Sequence, residues 1–177
     1  MMPRRQPLPK LCVISDARND AVLDRVLRRL PRGAGLIFRH YHMPEAERLR
    51  RFAMLERIAR SRGHLVALSG NAAAARRRRA EAAYGSPRLL ARGGPVLRLV
   101  TVHSLRELGQ ARRADAVLLS PVHPTRSHPG GAVLGPVRFR LLAARARVPV
   151  IALGGMDRHR ARSLKWPRWA GIDAFLR

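Results

Sequence analysis

The chain has 177 residues, with 36 Lys or Arg against 11 Asp or Glu and a formal charge of +25. Only Lys10 and Lys165 are lysines, so the cationic content is almost entirely arginine. At 46% hydrophobic residues the chain can build a core, which excludes a disordered basic tail, and one domain over residues 1–177 is expected.

The single cysteine, Cys12, lies in the apolar run Leu11-Cys12-Val13-Ile14. One thiol excludes an intrachain disulfide framework and a clustered-thiolate zinc site, and a buried small hydrophobe is the plain reading. No stretch approaches the roughly 20 apolar residues of a membrane span, and residues 1–10 lack the apolar centre of a signal peptide. The expected location is cytoplasmic. A pI near 12.0 raises nucleic acid as a partner, since arginines bind phosphate and release counterions. Against it, the charge is spread over every segment, and Phe, Trp and Tyr make up only 5% of the chain, too few for a stacking platform. The run Arg76-Arg77-Arg78-Arg79 follows four alanines and reads as a solvated helix face.

From end to end, short apolar runs alternate with helix-period segments. Residues 11–15 form the first strand, and Val22, Leu23, Val26, Leu27 and Leu30 then trace one helical stripe ended by Pro31 and Gly33. Residues 35–41 are the second strand. Pro44 suits the first helical position, Glu45 and Glu47 complement the helix dipole, and Leu49, Phe52, Leu55 and Ile58 line one face. Residues 64–69 are a third strand, continuous enough to be buried on both sides, and residues 71–83 a helix.

The fourth strand is placed at 86–92, with Gly93-Gly94-Pro95 leaving room only for a turn before the fifth at 97–102. Ser104-Leu105-Arg106-Glu107 is a capping box. Strands follow at 115–122 and 148–153, separated by a loop rich in Pro and Gly and by a helix reopened by Pro136. A loop that long within a compact fold is a functional candidate. Gly154-Gly155 ends the seventh strand, Asp157 caps the next helix, and residues 171–176 read as the last strand.

Eight such units point to a closed (β/α)8 TIM barrel, trimmed after strands four and eight because typical barrels take about 250 residues. The other reading is an open doubly wound sheet, whose ligands also bind at the carboxyl ends of the strands. With the last helix missing, an apolar groove is expected beside strands one and eight. Its expected cover is either the N-terminal segment or a second subunit in a homodimer, with Trp166 and Trp169 near the contact.

In either architecture the site follows the strands. Those positions carry Asp16, Arg39, Ser69, Asn71, Thr101, His103, His123, His128 and the glycine pair, a set suited to anions. Gly154-Gly155 allows backbone N–H groups to approach a phosphate, and Thr125 and Ser127 offer alternating hydroxyls. The plain alternatives are a tight turn for the glycines, hydrogen-bonded loop positions for His123 and His128, a loop anchor for His103, and an interior arginine paired with Asp16 for Arg39.

The run from Asp115 through Ser120-Pro121-Val122-His123-Pro124-Thr125-Arg126-Ser127, then Leu134-Gly135, then Val148-Pro149-Val150-Ile151-Ala152-Leu153-Gly154-Gly155, resembles the thiamine phosphate synthase family, which includes thiazole tautomerases. Thr101-Val102-His103-Ser104 is similar to the family's Ser-x-His-Ser element. The match is strong over strands five to seven and loose over the first half. The resemblance implies a (β/α)8 barrel that couples hydroxymethylpyrimidine diphosphate to thiazole phosphate with release of pyrophosphate, the pyrimidine ionising and the thiazole nitrogen capturing the cation. It also implies that Thr125 and Ser127 hold the thiazole phosphate, with Gly155 nearby, that Thr101 lies near the diphosphate, and that Arg39 is the arginine of the family's Gln-x-Arg-x-Lys strand. Ser69, Asn71, His123 and His128 are further substrate-binding candidates.

The departures are specific. Ile37 and Tyr41 replace that strand's glutamine and lysine, Ser69-Gly70-Asn71 replaces Asn-Asp-Arg, His128 replaces a lysine, and residues 86–94 contain no acid. Two magnesium-binding aspartates are thereby lost. The expectation is that any magnesium is carried by the substrate diphosphate, with no dedicated protein site. Three functions remain: the transferase, a non-coupling phosphate-ligand or tautomerase-like barrel, and a basic RNA-associated protein.

Overall fold

In the computed structural model, which describes residues 7–127 and 129–176, the first strand pairs with the last. The strands are β1 (Leu11–Ile14), β2 (Gly35–Phe38), β3 (Leu65–Ser69), β4 (Ala82–Gly85), β5 (Leu97–Val102), β6 (Ala116–Leu119), β7 (Val150–Ala152) and β8 (Trp169–Gly171). All pairings are parallel and in chain order, and the register Leu11 to Trp169 and Val13 to Gly171 closes the barrel. The fold is a (β/α)8 barrel.

Alternation along each strand divides the buried residues into two sets. Cys12, Ile14, Ile37, Leu65, Leu99 and Leu118 fill the barrel interior. Val13, Leu36, Phe38, Val66, Val100 and Val117 face outward onto the helices. A Cβ built on Gly35 would lie 2.7 Å from Cys12 Sγ, so the glycine makes room for the thiol at the interior's lower end. Burial pushes the Cys12 thiol up to about 12, and it behaves as the inert core residue the sequence indicates.

The outer layer comprises α1 (Leu23–Arg29), α2 (Glu45–Ser61), α3 (Ala72–Arg77), α4 (Pro87–Leu90), α5 (Leu105–Gln110), α6 (Gly135–Ala143) and α7 (Arg158–Leu164). Asn71, Ser86, Ser104 and Asp157 each accept a backbone N–H as N-caps. Such caps contribute about 1 kcal/mol apiece, which matters for helices this short. Glu107 completes the predicted box one residue early, accepting from His103 N at 2.8 Å.

Two predicted elements move. The helix expected over 71–83 stops at Arg77, Arg79 turns back with φ of 55°, and β4 is Ala82–Gly85 in place of 86–92. Alanines favour helix locally, but Ala82 and Tyr84 pack into the interior and pair with β5, so tertiary packing overrides propensity. Residues 86–90 form the cap and turn of α4 instead. At the C-terminus β8 is Trp169–Gly171 in place of 171–176, followed by a single turn at Asp173–Phe175.

That turn lays Phe175 flat on Trp169, with ring centroids 5.9 Å apart, where an eighth helix would otherwise pack. Trp166 donates from Nε1 to Val150 O at 2.9 Å and meets the edge of Phe139. Both tryptophans thus make contacts within the chain. A groove of about 470 Å³ remains beside β1 and α7, bordered by Lys10, Arg162 and Lys165. No helix among the described residues is long and apolar enough to cross a membrane. Arg76 to Arg79 are solvent-exposed, Arg76 and Arg77 on α3 and Arg78 and Arg79 beyond its end.

Candidate active site

The loops after the strands converge on a cavity of about 1020 Å³ at the carboxyl end of the barrel. Arg39, Thr101, His103, Thr125, Ser127, Gly154 and Gly155 all border it. Ser69, Asn71 and His123 do not border it. The Ser69 hydroxyl is hydrogen-bonded to the Tyr41 phenol, and the Asn71 carboxamide caps α3 at 2.8 Å from Ala74 N. His123 packs behind the glycines, donating its backbone N–H to Gly154 O at 3.0 Å. Its Nε2 is buried without a partner among the described residues. Burial first and the Arg160 charge second hold its ring below the usual histidine range. His128 is outside the described residues.

At the inner end, Arg39 follows β2 and reaches across to Asp16 after β1, with Nη2 3.0 Å from Oδ2. The other carboxylate oxygen, Oδ1, accepts from Arg18 Nε at 2.8 Å. Burial would raise the Asp16 carboxyl, but the Arg18 hydrogen bonds and the two guanidinium charges outweigh it and keep the group below the ordinary carboxylate range. Tyr84, on β4, hydrogen-bonds to Thr101 and Arg39, and its burial pushes the phenol up despite those partners. His103 Nδ1 lies 3.0 Å from Ser120 O, an acceptor, so this nitrogen carries a proton and donates it. The contact anchors the loop after β6 to the end of β5.

At the outer end, the loop after β6 carries both hydroxyls. Ser127 N donates to Thr125 Oγ1 at 3.3 Å, and Ser127 Oγ accepts from Arg18 Nη2 at 2.8 Å. Gly154 and Gly155 follow β7 with φ of 91° and 60°. A Cβ on Gly154 would lie 2.5 Å from Pro121 Cα, and one on Gly155 would strike Pro124 O. The glycines are therefore required by close backbone approach to the hydroxyl loop.

Sequence reasoning missed Arg18, Tyr84 and Asp173. Arg18 stands two residues beyond Asp16 at a strand end, a signal that was available. Tyr84 and Asp173 were hidden by the misplaced fourth and eighth strands. Asp173 borders the cavity and accepts from Arg18 Nη1 at 2.9 Å.

Among the described residues no three His, Cys, Asp or Glu gather as a ligand set. Asp16, the carboxylate at the inner end, has both oxygens engaged by arginine.

Residues 99–174 match the family model described as thiamine monophosphate synthase. No curated protein sequence matches the chain. Among solved structures, thiamine phosphate pyrophosphorylase from Pyrococcus furiosus is 22% identical, with a TM-score of 0.75, covering 96% of this chain and 88% of that one. The Bacteroides thetaiotaomicron thiamine phosphate pyrophosphorylase is 12% identical, with a TM-score of 0.61 and coverage of 94% and 84%. An HpcH/HpaI aldolase/citrate lyase family protein from Burkholderia cenocepacia is 14% identical, with a TM-score of 0.63 and coverage of 96% and 90%. At such identities these structures speak to the barrel alone. The family match falls on β5 to β8, the part of the sequence that carries the resemblance, so the chain is a (β/α)8 barrel whose second half is similar to thiamine monophosphate synthase.

Proposed function

We propose that the chain is a transferase of thiamine phosphate synthase type, joining a phosphorylated thiazole to a pyrimidine diphosphate with release of pyrophosphate. The observation that carries this reading is the convergence of Thr125, Ser127, Gly154 and Gly155 on one cavity that also receives Arg39, Thr101 and His103. Two hydroxyls and a glycine backbone bordering the cavity offer donors to a phosphate monoester without a bulky side chain in the way. The inner group faces the second substrate. Arg39 supplies a fixed guanidinium for a departing diphosphate, and Thr101 and Tyr84 offer hydroxyls. The cavity walls hold the thiazole nitrogen against the pyrimidine carbon as the carbon–oxygen bond to the diphosphate breaks, so that capture outruns water.

A coupling assay with both substrates tests this directly, with thiamine phosphate and pyrophosphate as expected products. A second reading, a barrel that binds the phosphorylated thiazole without coupling, is favoured by the positions of Ser69 and Asn71, spent on a phenol and a helix cap. Tight binding of thiazole phosphate with no coupled product selects it.

A further inference from the structure

Arg18 joins three loops of the barrel mouth through three different nitrogens. Nε donates to Asp16 Oδ1 at 2.8 Å after β1, Nη1 to Asp173 Oδ2 at 2.9 Å after β8, and Nη2 to Ser127 Oγ at 2.8 Å after β6. Its side chain is only 24% exposed. Two carboxylates on either side leave the guanidinium one orientation, with its remaining fork on the serine.

We propose that Arg18 is a positioning residue of the phosphate-monoester site, which fixes the Ser127 hydroxyl as a donor and holds the hydroxyl loop in place for the ligand. The proposal rests on the reading of Thr125 and Ser127 as phosphate ligands. A serine hydroxyl has one proton and two lone pairs. Arg18 occupies a lone pair of Ser127 Oγ, so the proton must point to another acceptor. Thr125 Oγ1 is in the same position, because it accepts the Ser127 backbone N–H at 3.3 Å. Both hydroxyls border the cavity with one lone pair engaged and their protons left to give. An acceptor-only ligand such as a phosphate oxygen is complementary to the two protons so directed.

Charge supports the same assignment. Arg18 and Arg39 are balanced locally by Asp16 and Asp173, so the cluster is a set of oriented donors and not a bulk trap for anions. Selectivity for phosphate then depends on where the hydroxyls point, and Arg18 sets one of them. The residue acts through Ser127, which makes its effect separable from a general loss of positive charge.

Calorimetry on the full chain, with inorganic phosphate, thiazole phosphate and the unphosphorylated thiazole alcohol as probes, tests the proposal. Arg18→Met is expected to weaken binding of both phosphate probes about ten-fold or more, and Ser127→Ala by a similar factor. The double variant should be no weaker than the worse single one within about two-fold, since the two residues form one device. Affinity for the alcohol should not change. Arg18→Lys keeps a donor and the charge and should recover part of the loss; should Arg18→Met fail to fold, the cycle is run with this variant. Losses that multiply in the double variant, or an equal loss for the alcohol, overturn the proposal. Wild-type phosphate affinity in Arg18→Met overturns it alone, whereas wild-type protein that binds neither phosphate probe overturns the underlying phosphate-site reading with it.

Discussion

Gly154 stands so close to Pro121 that a methyl group on its Cα would lie 2.5 Å from the proline's own Cα. The contact locks the turn after β7 against the start of the hydroxyl loop, and backbone on both sides leaves nothing free to move aside. The φ of 91° at Gly154 adds a conformation that alanine adopts only with strain.

Gly154→Ala should therefore lose about 2–4 kcal/mol of folding stability, from overpacking and a strained backbone together. Denaturant melts check it. A midpoint equal to the wild type would mean that the two loops are not held as the structure has them.

The Gly154-Gly155 pair was legible in the sequence because it falls where a strand pattern ends. The barrel was legible for the same reason, through apolar runs at regular spacing. What escaped was Ala82-Ala83-Tyr84, since alanine carries a helix propensity that only pairing with β3 and β5 overturns. Placing β4 there is also what brings Tyr84 onto Thr101. Asp173 escaped likewise: its run of apolar neighbours reads as strand, and only the Phe175 stack on Trp169 turns the chain toward Arg18. The pairing of Arg39 with Asp16 was foreseen as a barrel-interior alternative. That Arg18 shares the same carboxylate was not, because sequence spacing does not reveal which of several arginines folds back.

The hydroxyls give a second prediction. Thr125→Val with Ser127→Ala removes both side-chain donors, and hydrogen bonds to charged ligands are worth about 1.5–3 kcal/mol each. Phosphate-ester affinity in calorimetry should drop accordingly while the protein still unfolds in one cooperative transition. An affinity equal to the wild type would remove these residues from the site.

The third concerns acid. His40 is fully buried, with Nδ1 2.7 Å from Ser15 Oγ and Nε2 2.7 Å from Asp20 Oδ1. Arg39 N also donates to Ser15 Oγ at 2.7 Å, and the Asp20 carboxylate, which can only accept, takes the His40 Nε2 proton. Burial first, with Asp20 opposing, holds the ring below its ordinary value. A folded-state value below the unfolded one, near 6.5, means stability that is complete above that pH and is lost as pH falls through the folded value. Burial lowers His64 and His123 as well, and they act in the same direction. The melting temperature should fall between pH 7 and 5, with a shallower slope in His40→Gln. A flat profile in the wild type would contradict a neutral His40.

The last prediction separates fixed cations from a bound metal. A departing diphosphate needs its charge neutralised, and magnesium does this elsewhere through carboxylates and phosphate oxygens. Here the carboxylate in place, Asp16, is tied at 2.8 Å to Arg18 and at 3.0 Å to Arg39, so a metal would have to displace two guanidinium groups to reach it. Arg39 is also the group of this cluster that borders the cavity and hydrogen-bonds to Tyr84. The ligand-free protein should accordingly give no magnesium heat in calorimetry, any magnesium in turnover arriving with the diphosphate. Arg39→Ala should cost more in coupling rate than Asp16→Asn, because the first removes charge from the reacting region and the second only loosens its support. A tight magnesium site in the ligand-free protein, abolished by Asp16→Asn, would reverse that order and make Asp16 a metal ligand held in reserve by its two arginines.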